Sequence, residues 1–170
     1  MSLKFLKDDI TRLKLESNRS FSFTALSFIY LLSPRILPVF LFRLSHYCHK
    51  KVPIVSKFFS LINFVLFGIE INPSCKIGPG LIIAHTSGSV IGARSIGARC
   101  IIFQNVTLGA KYLDINTTNN SRPSIGDDVI LGAGAKVLGG VSIGNGCLVG
   151  TNVVVLRDMA DAERLIPDER

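Results

Sequence analysis

The run Ile125-Gly-Asp-Asp-Val-Ile-Leu-Gly-Ala-Gly-Ala-Lys-Val-Leu-Gly-Gly-Val-Ser-Ile-Gly-Asn-Gly-Cys-Leu-Val-Gly-Thr-Asn-Val-Val-Val155 decides the fold. In it an aliphatic residue returns at every sixth position: Ile125, Leu131, Val137, Ile143, Val149 and Val155. The same beat is present upstream at Ile71, Ile77 and Ile83, and again at Ile96, Ile102 and Leu108. Four residues after such positions stand Cys75, Cys100, Val106, Val129, Ala135, Val141, Cys147 and Val153, a second column of small or β-branched residues. A period of six suits neither a helical stripe nor a hairpin sheet with its period of two. It is the signature of a parallel β-helix, in which no repeat buries its apolar face alone and successive coils must stack. A glycine-rich β-sandwich has no reason to hold this period over so many units. Glycines directly after the aliphatic residues are expected to make tight corners, because glycine tolerates positive φ.

Outward from this stretch, the chain of 170 residues divides into a helical region at 1–69, a β-helix at 70–156 and a tail at 157–170. A hydrophobic content of 48% against 18% charged residues excludes a disordered chain. The net charge of +7 is uneven, with ten Lys/Arg against four Asp/Glu before residue 71 and nine against eight after it. No basic track follows the solenoid, so nucleic acid is not an expected partner. Three of the four cysteines fall in the small-residue column, and no C-x-x-C pair exists, which reads as free core thiols in a reducing, cytoplasmic setting without a metal.

The first 69 residues carry an amphipathic stretch to about Ser20, an apolar run Phe21–Leu32, then segments over Ile36–His49 and Ile54–Phe67 punctuated by prolines, hence three or four short helices. No apolar run is long enough for a membrane span, and Asp8, Asp9, Arg12, Lys14 and Glu16 interrupt any signal-peptide core. Such a basic, apolar region suits a cap that packs on the solenoid end and on sister subunits, or peripheral contact with the inner face of a membrane.

The repeat slips twice, between Ile83 and Ile96 and between Leu108 and Ile125. The second interruption, 109–124, is polar and ends in Arg122-Pro123, so it is expected to leave the prism as a protruding loop, the usual place for function in a solenoid. His85 lies in the first slip, flanked by glycine, and has no part in filling the core; an imidazole there suits a general base near neutral pH. His46 and His49 lie in the helical region, where solvated or capping roles are expected. With His85 as the only histidine in the repeats, a β-helix zinc enzyme is excluded.

The segments Glu70 to Gly92, Gln104-Asn-Val-Thr-Leu-Gly109 and Ile125 to Gly139 resemble the serine O-acetyltransferase family over about residues 70–155. The layout, including Phe42-Arg-Leu-Ser-His46, is most similar to the related colanic-acid and capsular-polysaccharide O-acetyltransferases. This resemblance implies a left-handed β-helix, a homotrimer or dimer of trimers, acetyl-CoA as donor and an active site between subunits. His85 falls on the family's catalytic histidine and Glu70 on the carboxylate that orients it. Gly109, Ala110, Ala133 and Thr151 fall along the coenzyme A channel, and Arg122 near the acceptor. Ala84 replaces an acidic residue of the serine enzymes, and Ser121-Arg122 replaces their Arg-His pair. These departures direct the expectation to a sugar hydroxyl in surface-polysaccharide synthesis, with serine as the alternative acceptor and a non-catalytic assembly module as the alternative of another class.

Overall fold

The computed structural model describes residues 5–16, 33–112 and 119–167. Phe21–Leu32 and the loop tip at 113–118 lie outside the described residues. Among the described residues three α-helices come first, α1 (Leu6–Glu16), α2 (Leu37–Cys48) and α3 (Pro53–Phe67). Fourteen short strands follow, of two or three residues each, from β1 (Glu70–Ile71) to β14 (Arg164–Leu165).

Every pairing between the strands is parallel; from β1 to β10 each strand pairs with the third one after it, and at the end of the prism β12 pairs with β14. The chain therefore winds round three sheets. Sheet A stacks β1 with β4 (Val90–Ile91), β7 (Thr107–Gly109), β10 (Lys136–Leu138) and β13 (Val154–Val155). Sheet B holds β2 (Lys76–Ile77), β5 (Ser95–Ile96), β8 (Ser124–Ile125) and β11 (Ser142–Ile143). Sheet C holds β3 (Ile82–Ile83), β6 (Ile101–Ile102), β9 (Ile130–Leu131), β12 (Leu148–Val149) and β14. This is the left-handed parallel β-helix that the period of six requires.

In register, Ile71, Ile91, Leu108, Val137 and Val155 point inward from sheet A, all buried. Ile91 joins this column although it lies inside the first slip of the period; a shortened corner after it, at Gly92-Ala93-Arg94, hides it from a strict count of six. Cys75, Cys100, Val106, Val129, Ala135 and Cys147 fill the inner corners, with Val141 and Val153 packed partly buried against them. All four cysteines are free. Burial pushes the Cys75 thiol up to about 12 and Cys100 up to about 11, so both are inert thiols serving as small hydrophobes.

The glycines that follow the aliphatic residues act differently from the expectation. Gly78, Gly97, Gly126, Gly132, Gly144 and Gly150 have no positive φ; a Cβ on each would lie within 2.9 Å of an atom of the next coil, so hydrogen is required for the coils to stack. The left-handed conformation is taken two positions later, for example at Gly134 (φ +72°), whose missing Cβ makes room for the Asn152 side chain of the following coil.

The helices close the amino-terminal end of the prism through one buried ion pair. Asp9 of α1 accepts from Arg43 of α2 through Nε (3.0 Å) and Nη2 (3.1 Å), and from the backbone N–H groups of Gly80 and Leu81. Arg43 in turn donates to the carbonyls of Ile77 (2.7 Å) and Gly78 (2.6 Å). Burial raises the Asp9 carboxyl, while Arg43 and the two amides pull it the other way. His46 is half-buried, and its Nδ1 makes a 2.8 Å bond to the Pro73 carbonyl that ties α2 to the first coil, a tethering role rather than the expected solvated or capping one.

Candidate active site

Three corners join the sheets. The corner between sheets C and A carries Ala84 to Ser89 in the first coil, then Phe103-Gln104-Asn105, Gly132-Ala133-Gly134 and Gly150-Thr151-Asn152 in the coils stacked after it. Backbone bonds hold the stack: Asn105 N–H to Ser87 O (3.0 Å), Gly134 N–H to Gln104 O (2.9 Å), and Asn152 N–H to Ala133 O (2.8 Å). His85, Ala133 and Thr151 therefore share one edge of the prism.

The first turn of this corner is two residues longer than its counterparts, and His85 sits in the excess, exposed. The turn is held from both sides. Gly88 N–H donates to Gly68 O at the end of α3, and Glu70 N–H donates to Ser89 O, both at 2.9 Å. Ser89, buried beneath, donates from its hydroxyl to Phe103 O and accepts from Val106 N–H. Glu70 is thus fixed beside the His85 turn with its side chain on the outer face of sheet A. No hydrogen bond joins the two side chains in this structure.

Along the outer face of sheet C and into the same corner runs an open groove of about 680 Å³. Ile130, Leu148 and Ile166 form its apolar floor, and Gly132, Ala133, Gly150 and Thr151 one rim. A thin chain of methylenes and amides fits such a surface: apolar contact along the strands, and backbone polar groups at the small-residue rim. Ala133 and Thr151, both expected along the coenzyme A channel, line this groove.

The other expected residues occupy a different corner, between sheets A and B. Gly109 ends β7 and Ala110 follows it at the root of the interrupting loop. Arg122, at the far end of the loop, donates from Nη1 to Gly92 O at 2.8 Å, and a Cβ on Gly92 would meet that nitrogen. The loop also presses on the corner of the next coil, where the Asn120 carbonyl occupies the space a Cβ on Gly140 would need. Sheet A separates this corner from His85, so within one chain His85, Ala133 and Thr151 lie on one edge in successive coils with Glu70 beside the His85 turn, and Gly109, Ala110 and Arg122 lie on another.

Two features escaped the sequence reading. Gln104 stands one coil above the His85 turn with its Oε1 buried and unpartnered. Its only signal was its place in Gln104-Asn-Val-Thr-Leu-Gly109. The tail also adds β14 to sheet C, and Ile166 and Pro167 wall the groove; the period of six ends at Val155 and does not reach them.

Comparison with known proteins agrees with this geometry. The signature "Bacterial transferase hexapeptide (six repeats)" matches residues 122–157. A serine acetyltransferase of Synechococcus elongatus is 37% identical over 119 residues, 69% of this chain and 48% of that protein. One of Helicobacter pylori is 38% identical over 133 residues, 77% of this chain and 76% of that protein. A solved structure of serine acetyltransferase in complex with CoA superposes with a TM-score of 0.81 at 25% identity, covering 98% of this chain and 67% of that one. The chain thus spans between about half and three quarters of these relatives.

The comparisons overturn the expected likeness to colanic-acid and capsular O-acetyltransferases, and with it the sugar acceptor, because these relatives are named serine acetyltransferases. The loop expected to protrude has its carboxy-terminal end held against the prism, where Arg122 donates to Gly92 O and the Asn120 carbonyl packs over Gly140. Hexapeptide signature, β-helix and the shared identity over three quarters of both chains place this protein in the serine acetyltransferase family.

Proposed function

We propose that the protein transfers an acetyl group from acetyl-CoA to the hydroxyl of serine. The observation that carries this reading is the corner between sheets C and A, where the groove rimmed by Ala133 and Thr151 shares an edge with exposed His85 and neighbouring Glu70. The 38% identity to the Helicobacter pylori enzyme supports serine as acceptor.

Acetyl-CoA, when bound, supplies the acetyl group as a thioester. Ala133 and Thr151 hold its arm. One ring nitrogen of His85 takes the proton from the serine hydroxyl as its oxygen attacks the acetyl carbonyl, and returns it to the departing sulfur, so no acyl-enzyme forms. Glu70 accepts from the other ring nitrogen, which sets the tautomer and favours the imidazolium. Arg122, Gly109 and Ala110 reach this chemistry in a homotrimer, where a neighbouring copy presents its A–B corner to the C–A corner of the first. Arg122 then faces the serine carboxylate, and backbone N–H groups at the loop root face the developing oxyanion.

Release of free thiol from acetyl-CoA in the presence of L-serine tests the proposal. Serine-dependent release is expected, falling about 10²–10⁴-fold in His85→Ala with the fold intact. No release with serine, or an unchanged rate in the variant, would reject it.

A further inference from the structure

Helix α3 is built inside out. Its inward face, Ser56, Ser60, Asn63 and Phe67, is mostly polar: Ser45 of α2 meets the Ser56 carbonyl (2.9 Å) and the hydroxyls of Ser56 and Ser60 (each 3.0 Å), and Asn63 Nδ2 donates to Pro38 O (2.9 Å). The opposite stripe is apolar and faces solvent, with Ile54 77%, Phe58 58%, Leu61 58% and Val65 69% exposed. Val55, Phe64 and Leu66 widen it. A face of this size and composition on a water-soluble surface marks a docking site.

Charge selects the occupant. From Ser33 to Ile69 there is no Asp or Glu, while Arg35, Lys50, Lys51 and Lys57 are all exposed at the start of α2 and around the amino-terminal half of α3. A second copy of the same face would bring these cations together without an acidic partner from this region. An anionic lipid surface meets both needs, taking the apolar stripe among its acyl chains and the lysines among its headgroups. Fifteen residues are too few to cross a bilayer, and no described helix is long and apolar enough to do so, so α3 would lie in the interface.

We propose that the α3 face docks on anionic membrane surfaces. The helix ends at Gly68, whose carbonyl accepts from Gly88, so docking would hold the His85 corner close to the lipid.

Flotation of the full chain with phosphatidylcholine vesicles, with and without phosphatidylglycerol, tests this. Binding is expected only to the mixed vesicles, weakening with salt. The triple variant Phe58→Gln/Leu61→Gln/Phe64→Gln and the charge variant Lys50→Glu/Lys51→Glu/Lys57→Glu should each lower partitioning about tenfold or more, with circular dichroism and molecular mass in solution unchanged. Absence of binding to mixed vesicles, or binding indifferent to both variants, would overturn the proposal. So would a smaller assembly in the triple variant, which would assign the face to a contact between copies.

Discussion

The β-helix and helix α3 in front of it bury opposite kinds of residue. In the prism, aliphatic side chains point inward from every strand, and outward partners on sheet A such as Glu70 and Lys136 are charged and exposed. Between α2 and α3, serine hydroxyls and an asparagine amide lie inside, and phenylalanine, leucine and isoleucine lie outside. The prism is therefore stabilised by apolar area removed from water. The helices combine both: Val39 and Phe42 of α2 join the prism core and Leu13 and Ile36 cluster with Ile82, while directional polar contacts fix α3 on α2 and the Asp9–Arg43 pair on the first coil. Such contacts specify position well but contribute little net stability each.

The most damaging test of this contrast is Arg43→Ala. It leaves Asp9 buried without its guanidinium and frees the carbonyls of Ile77 and Gly78, so unfolding by denaturant should show a loss of about 3–5 kcal/mol. A loss near zero would mean that the helices are held by something other than this clamp. Next, Leu131→Ala in the prism core should cost about 2–5 kcal/mol, whereas Phe58→Gln on the outer stripe of α3 should stay within about 0.5 kcal/mol. Equal costs would break the comparison, since they would show Phe58 to be buried in the molecule as it exists in solution.

The smallest expected effect concerns pH. Burial lowers the His46 pKa from its ordinary 6.5, against the bond to Pro73, so the folded protein favours the neutral ring. Its contribution is present above pH 6.5 and is lost as pH falls through the lower folded value. Between pH 7 and 5.5 the denaturation midpoint of the parent should drop relative to that of His46→Gln; parallel curves would remove His46 from the account.

Much of the site was legible because the prism is regular. In a lattice of coils His85 stands out as an insertion, whereas Ala133 and Thr151 were indicated by the resemblance alone, and the stacked corners are what put them on the edge that carries His85. Arg122 was legible as a loop residue, but its anchorage on Gly92 was not, because that bond depends on how far the loop folds back. The acceptor was misread because the substitutions at Ala84 and Ser121-Arg122 were weighed above the resemblance to serine O-acetyltransferases over residues 70–155, which the comparisons extend to three quarters of the chain.

The chain by itself determined the β-helix, its inward columns and the two places where the coil is interrupted, since a period of six has one packing solution and each inward residue meets only its stacked neighbours. The tertiary structure alone decided which way α3 faces. Periodicity shows a polar stripe at Ser56, Ser60 and Asn63 opposite an apolar one and by itself would turn the apolar stripe inward; the bonds to Ser45 and Pro38 turn the polar stripe inward and leave the hydrophobic one to the surroundings.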